Sequence, residues 1–277
     1  MNVCVIITVY RDDRVIRTIN SLKSQTLKPD LVIVADGGSG TLFKNTIKKE
    51  LDDDYMVFRT YPGSIAETRH LVMQDVVDDF DIVTFIDADE EAPPFWLEII
   101  TEPIRKKEAD FVGGSTIPFD TKKTTAEMFV DSLEKVLYEN IVPGDITQIP
   151  MGNSAWSMSV FRKIGNFDVD YGKYGLAEDY DINIRAVKSG FTGVLVKEAW
   201  LFHDHSKLNT FLKVFKSYYF RQVRASGTYM KNKMLLGDII EATKRTKIFH
   251  PFQLVLLLSK PFAYITAWKE YSQKVKL

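Results

Sequence analysis

The chain has 277 residues, 45% of them hydrophobic and 26% charged, with a formal net charge of -1. That length can bury a sizeable core in one large domain or two small ones, and the composition excludes a disordered or fibrous chain, while the near-zero charge argues against an extended nucleic-acid surface. One cysteine, Cys4, rules out an intramolecular disulfide, and Met1-Asn2-Val3 runs straight into an apolar segment without a signal-peptide pattern, so a reducing, cytoplasmic setting is expected.

In chain order, residues 3–9 read as a near-continuous apolar strand, with Cys4 a buried, inert thiol within it. Residues 15–25 follow with Val15, Ile16, Ile19 and Leu22 at helical spacing, then strands at 31–35 and 56–60. A helix is predicted over 64–77 from Ile65, Leu71, Val72 and Val76, and a fourth strand starts at Ile82. Strands alternating with helices in units of this length predict βαβ crossovers and a mostly parallel sheet.

Beyond Asp89 the pattern changes. Residues 94–107 read as a helix, 111–117 as extended, and 126–140 as a helix with Met128, Phe129, Leu133, Val136 and Leu137 in period. Residues 149–159 are apolar and small, 175–188 read as a helix, 193–202 as a strand, and 207–277 as helices. No repeat or linker divides the chain, so one domain over 1–206 with a helical extension over 207–277 is expected. In the apolar stretch 249–268, His250, Pro251, Lys260 and Pro261 make a bilayer crossing improbable. Its Phe252, Leu254, Leu256, Phe262, Tyr264 and Trp268, mixed with Lys247, Lys260 and Lys269, suit either packing on the main domain or lying on a membrane surface.

The fourth strand, Ile82-Val83-Thr84-Phe85-Ile86, ends in Asp87-Ala88-Asp89-Glu90. In open α/β sheets ligands bind outside the carboxyl ends of the strands, so Asp87 and Asp89 stand where a ligand is met. The two carboxylates need not share one task; a solvated acidic turn is the plainer alternative. Four further clusters lie at strand ends or helix starts. Thr8-Val9-Tyr10-Arg11 closes the first strand, and Asp36-Gly37-Gly38-Ser39-Gly40 closes the second, matching neither the Rossmann nor the P-loop glycine fingerprint. Glu178-Asp179-Tyr180-Asp181 opens a helix, where the dipole favours carboxylates as caps or as an ionised general base. His203-Asp204-His205 follows the last strand, and imidazole beside carboxylate suits a divalent metal.

Together with Gly63 and Arg69, Met151-Gly152-Asn153, residues 161–168, Arg185 and Gly190, these motifs resemble, in order and spacing, the family 2 glycosyltransferases of the GT-A fold, over about residues 3 to 206. The resemblance implies an α/β fold with a GT-A Rossmann-like, mostly parallel sheet flanked by helices. It also implies inverting, metal-dependent transfer of one sugar from a nucleoside-diphosphate sugar of the UDP or GDP type to a glycan or lipid-linked acceptor hydroxyl, at the cytoplasmic face of the membrane or free of it. By resemblance, Thr8, Tyr10, Asp36, Arg69, Gly152 and Asn153 line the donor, and Asp87 reaches the ribose or a metal-bound water. Asp89 binds Mg²⁺ or Mn²⁺, His203 is a further ligand to metal or diphosphate, and Asp179 is the base with Glu178 as its understudy. His203 and His205 stay open as alternatives.

The sequence departs from the family pattern at Ile7, Arg11 and Gly37, where proline, asparagine and a second acid are common. Gln222-Val223-Arg224 continues with Ala225-Ser226, so the Gln-x-x-Arg-Trp motif of processive synthases is missing there and single-sugar transfer is expected. Two other readings were weighed. A sugar nucleotidyltransferase lacks support because its basic glycine-rich loop is missing, and a catalytically silent GT-A-like binding protein is opposed by the presence of all four acids.

Overall fold

A computed structural model describes residues 1–51, 54–119, 122–140, 149–171, 177–232 and 250–274. Strands β1 (Val3–Val9), β2 (Leu31–Asp36), β3 (Met56–Thr60) and β4 (Ile82–Asp87) lie parallel in the order β3-β2-β1-β4. Their crossovers carry α1 (Val15–Lys23), α2 (Thr41–Lys48) and α3 (Ile65–Val76). β1 is buried throughout because both faces of the sheet are covered. Val3, Val5 and Ile7 pack with Val15, Ile19 and Leu22 of α1, while Cys4 and Ile6 pack with Val72, Met73 and Val76 of α3. The Cys4 thiol is pushed up by burial, as an inert core thiol would be. Helix α2 has no counterpart in the sequence reading: it is eight residues long and buries only Ile47.

The remaining elements are β5 (Glu90–Glu91), α4 (Trp96–Arg105), β6 (Phe111–Pro118), α5 (Thr125–Asn140), β7 (Asn153–Ser157), α6 (Met158–Ile164), α7 (Glu178–Lys188), β8 (Gly193–His203), a 3₁₀ turn (Ser206–Leu208), α8 (Phe211–Lys231) and α9 (Pro251–Lys274). They extend the sheet to eight strands, β3-β2-β1-β4-β7-β6-β8-β5, flanked by nine α-helices among the described residues. β7 runs antiparallel to β4 and to β6, and β5 runs antiparallel to β8. The parallel half is the half with a regular strand-helix alternation. The reversal at β7 brings Gly152-Asn153, at the start of that strand, beside the end of β4, and the short β5 pairs Glu90 with His203.

Helices α8 and α9 pack on α5 and on each other. Phe129 and Val130 of α5 meet Val214 of α8 and Leu256 of α9, and Val223 meets Ala263 and Ala267 further along. The Thr228 hydroxyl accepts from the Ala177 N–H at 3.0 Å, one residue before α7, and Lys231 pairs with Asp168. On the outer side of α9, Leu254, Val255, Leu258, Phe262, Ile265 and Trp268 are exposed. No helix among the described residues is long and apolar enough to cross a membrane. Lys247 and residue 249, named in the sequence reading of this stretch, lie outside the described residues, as do 175 and 176.

Candidate active site

The carboxyl ends of β1, β2 and β4 come level, with Thr8 in register with Ala35 on one side and Asp87 on the other. The Thr8 hydroxyl is buried and has no hydrogen-bond partner among the described residues. A buried unpaired hydroxyl is unfavourable unless something else meets it. Tyr10 is exposed beside it, with the Arg11 guanidinium 5.1 Å from its ring centroid. Asp36 is buried and folds its own loop: both carboxylate oxygens accept from the Ser39 N–H, at 3.0 and 3.1 Å, and the Ser39 hydroxyl donates to one of them.

Gly152 and Asn153 divide in role. A Cβ on Gly152 would stand 2.5 Å from Asp87 Oδ2 and 3.1 Å from Glu90 Oε2, so only glycine lets these carboxylates approach the backbone. Asn153 corrects the expectation of a donor contact. It is fully buried, its oxygen accepts from Trp96 Nε1 at 2.9 Å, and its amide donates to the Ser115 and Ala199 carbonyls at 2.7 and 3.0 Å. Its amide braces the sheet and has no donor left for a ligand.

Arg69, on α3, joins the end of β4 to the start of α7. Its two guanidinium ends donate to Asp87 Oδ1 at 3.1 Å and to Glu178 Oε1 at 2.6 Å, and the residue is only 2% exposed. The Ser64–Glu67 capping box starts α3, with Ser64 N–H donating to Glu67 Oε2 at 2.7 Å, and Arg69 follows within two turns. Burial pushes the Glu178 carboxyl up, partly offset by Arg69 and reinforced by Asp179, to about 7. Asp87 is shifted upward as well, by the dense walls of the cleft, against the pull of Arg69; its side chain is still 39% open to water at the mouth. Glu90 lies deeper, accepts from the Asp87 N–H at 2.8 Å, and is raised well above the usual range by burial and by Asp87. Asp179 is half-buried at the first turn of α7, with Oδ1 accepting from the Tyr180 N–H at 2.9 Å.

Asp89 lies two residues beyond the end of β4, in the turn before β5. Its carboxylate pairs with Arg14 at 3.0 Å, and the same guanidinium is held by Asp12 at 2.7 and 2.9 Å and by the Asp204 carbonyl at 2.8 Å. His203 Nε2 stands 3.9 Å from Asp89 Oδ2. Its Nδ1 faces inward, 3.3 Å from Glu134 Oε1 and 3.2 Å from His205 Nε2. His205 is buried between Asp131 and Glu134, so of the two histidines it is His203 that fronts Asp89. Burial lowers His205, but the hydrogen bonds to Asp131 and Glu134 outweigh that and raise it to about 9.

The carboxylate oxygens of Asp87 and Asp89 are donors that fit Mg²⁺ or Mn²⁺, with the His203 Nε2 edge 3.9 Å from Asp89. The fold thus gathers Thr8, Arg69, Asp87, Gly152, Glu178 and Asp179 around one cleft, with Asp89 and His203 at its edge. Sequence reasoning missed Glu90, Arg14, Asp12, Asp131 and Glu134. Glu90 had a signal, being the third acid of a buried strand end. Asp131 and Glu134, three residues apart on α5, carry no local signal that sets them apart from other acids on a helix.

Residues 4–165 match the family model described as glycosyl transferase family 2, which is more than half of the chain. The chain belongs to glycosyl transferase family 2. It is a glycosyltransferase, and its eight-stranded sheet is that of the GT-A architecture. No curated protein matches it by sequence. A mannosyltransferase from Pyrobaculum calidifontis, solved in complex with GDP-Man and Mn2+, superposes with a TM-score of 0.64 at 14% identity, covering 97% of this chain and 73% of that one. S. aureus TarS superposes with a TM-score of 0.55 at 15% identity over 80% of this chain, which spans 39% of the TarS chain. A shorter TarS chain in complex with UDP-GlcNAc gives 0.54 at 15% identity, over 81% and 66% of the two chains. At these identities the likeness is one of fold.

Proposed function

We propose that this enzyme moves one sugar from a nucleoside-diphosphate sugar to an acceptor hydroxyl with inversion at the anomeric carbon. The observation that carries this reading is the facing pair of acidic strand and helix ends: Asp87 and Asp89 close β4, Glu178 and Asp179 open α7, and Arg69 ties the two sides together. Superposable proteins bound to GDP-Man with Mn2+ and to UDP-GlcNAc support a donor of that class.

In this mechanism Asp87 and Asp89 would hold Mg²⁺ or Mn²⁺, which would supply positive charge for the departing diphosphate. Thr8, with its unpaired hydroxyl, and Tyr10, at the mouth, meet the nucleoside end of the donor. Asp36 shapes the loop that borders it. Arg69 orients Asp87 and adds fixed positive charge beneath the cleft. His203 presents its Nε2 edge to the diphosphate side. Across the sugar, Asp179 takes the proton of the attacking hydroxyl. Glu178, raised and tied to Arg69, serves as its support. A single base and no enzyme nucleophile suffice for inversion, in keeping with the burial of Cys4.

The exposed apolar stripe of α9 supports a contact with the cytoplasmic face of a membrane, which suits a lipid-linked acceptor as well as a glycan one. The test is direct. EDTA should abolish transfer and Mn²⁺ or Mg²⁺ should restore it. Asp179→Asn should abolish transfer with nucleoside-diphosphate affinity, read by thermal shift with Mn²⁺, almost unchanged. Metal-independent turnover, or a large loss of donor binding in Asp179→Asn, overturns the assignment.

A further inference from the structure

Outside the donor cleft, three ligand atoms converge in a way the sugar-transfer chemistry does not need. Glu134 Oε1 lies 3.3 Å from His203 Nδ1 and 3.1 Å from His205 Nε2, and the two ring nitrogens are 3.2 Å apart. Around a tetrahedral ion with metal-ligand bonds of about 2.0–2.1 Å, neighbouring ligand atoms stand roughly 3.3 Å apart. All three separations here are close to that value.

The surroundings are built for ligation. Asp131 Oδ1 lies 2.9 Å from His205 Nδ1, the carboxylate-histidine arrangement that fixes a ligating imidazole in the tautomer whose Nε2 is a bare lone pair. The other Asp131 oxygen accepts from Lys123 at 2.7 Å. Glu134's second oxygen accepts from the Thr116 hydroxyl at 2.6 Å, leaving Oε1 for the centre of the cluster. The two acids are one turn apart on α5. The two histidines, two residues apart, would share a face of a straight strand; β8 ends at His203, and with His205 at φ -87° and ψ 12° the rings stand 4.3 Å apart between centroids. His205 Nε2 and Glu134 Oε1 stand 3.1 Å apart and need a positive centre between them, a proton or a metal ion. One proton on Nε2 serves one of the three contacts, whereas one metal ion serves all three.

We propose that Glu134, His203 and His205 form a metal site for a zinc-class ion, separate from the Asp87/Asp89 carboxylates and differing from them in ligand chemistry. Two imidazoles and one carboxylate suit Zn²⁺, while paired carboxylates suit Mg²⁺ or Mn²⁺. The side chain of His205 is 6% exposed and that of His203 23%, so the cluster is closed on the α5 side and open toward Asp89, where a fourth ligand or water fits. The ion pins α5 to the end of β8. Bound through Nδ1, His203 keeps its proton on Nε2, on the edge facing Asp89, and so serves the donor as a hydrogen-bond donor to diphosphate rather than as a ligand to the donor's metal. The zinc site itself does not depend on the sugar-transfer reading.

The experiment uses the full, tag-free chain, stripped with a chelator and reloaded with Zn²⁺. Bound zinc is read by elemental analysis, affinity by competition with a chromogenic chelator, and geometry by the visible spectrum after Co²⁺ substitution. One tightly held zinc per chain is expected, with the intense bands of tetrahedral Co²⁺. Asp131→Asn should weaken affinity by roughly 10- to 100-fold, as loss of an outer partner does, and His205→Ala and Glu134→Gln by more. Asp89→Asn should retain the zinc while losing Mn²⁺-dependent nucleotide binding. If His205→Ala fails to fold, by circular dichroism, the nearly isosteric Glu134→Gln decides. No zinc retained by the native chain, zinc unchanged in Glu134→Gln, or zinc lost in Asp89→Asn overturns the proposal.

Discussion

At Gly152 the absence of a side chain sets the shape of the cleft. An added methyl group would stand 2.5 Å from Asp87 Oδ2, nearer than non-bonded atoms approach, so the carboxylate must move. Gly152→Ala is therefore expected to lower kcat/KM by about 100-fold, the usual consequence of displacing a catalytic group by about an ångström, with the melting temperature little changed. Steady-state kinetics beside a thermal melt checks this. At Glu178 the linkage to pH has a definite sign. Its carboxyl stands at about 7 against an ordinary 4.5, so the folded state holds the proton over a range where the unfolded chain has released it. The resulting stability is fully present below pH 4.5 and is lost as pH rises toward 7. Denaturant titrations across that window should show a steeper decline for the native chain than for Glu178→Gln, which cannot titrate; equal slopes would count against a raised Glu178. Asp87 and Glu90 shift in the same direction, so the comparison isolates Glu178 only as a difference between the two proteins.

Among the elements, α7 carries the proposed base, and α8 holds its first turn. Helix starts leave backbone N–H groups unsatisfied, and Ala177, just before α7, gives its N–H to the Thr228 hydroxyl at 3.0 Å. Thr228→Val keeps the shape and removes the acceptor in a fully buried place. It should cost about 1–3 kcal/mol by chemical denaturation and reduce kcat through a loosened Asp179, while nucleotide affinity holds. Helices α1 and α3 were legible and fall within the predicted spans, and the capping box marks the start of α3. Helix α2 and the two-residue β5 were not, because one is nearly all exposed and the other is ordered only by pairing with β8. The antiparallel β7 was legible only as an apolar stretch, since local pattern does not carry strand direction.

For the whole molecule, the question is what meets the exposed stripe of α9. Leu254, Leu258, Phe262, Ile265 and Trp268 recur at helical spacing on the side away from Leu256, Ala263 and Ala267, which are buried. The full chain is expected to float with vesicles containing anionic lipid, and Phe262→Glu with Trp268→Glu should return it to the soluble fraction with activity on a soluble acceptor intact. Flotation unaffected by those changes would place the contact elsewhere. Over the same scale the sequence by itself determined the α/β architecture, the strands of the parallel half and the acidic strand and helix ends, because these follow from spacing within a few residues. Tertiary structure alone decided what each group faces. It turned Asn153 into a brace, brought Arg14 to Asp89, and set Glu134 of α5 against the histidines at the end of β8. Those contacts join segments far apart in the chain, and their geometry arises from how helices pack on a twisted sheet, which no local period records.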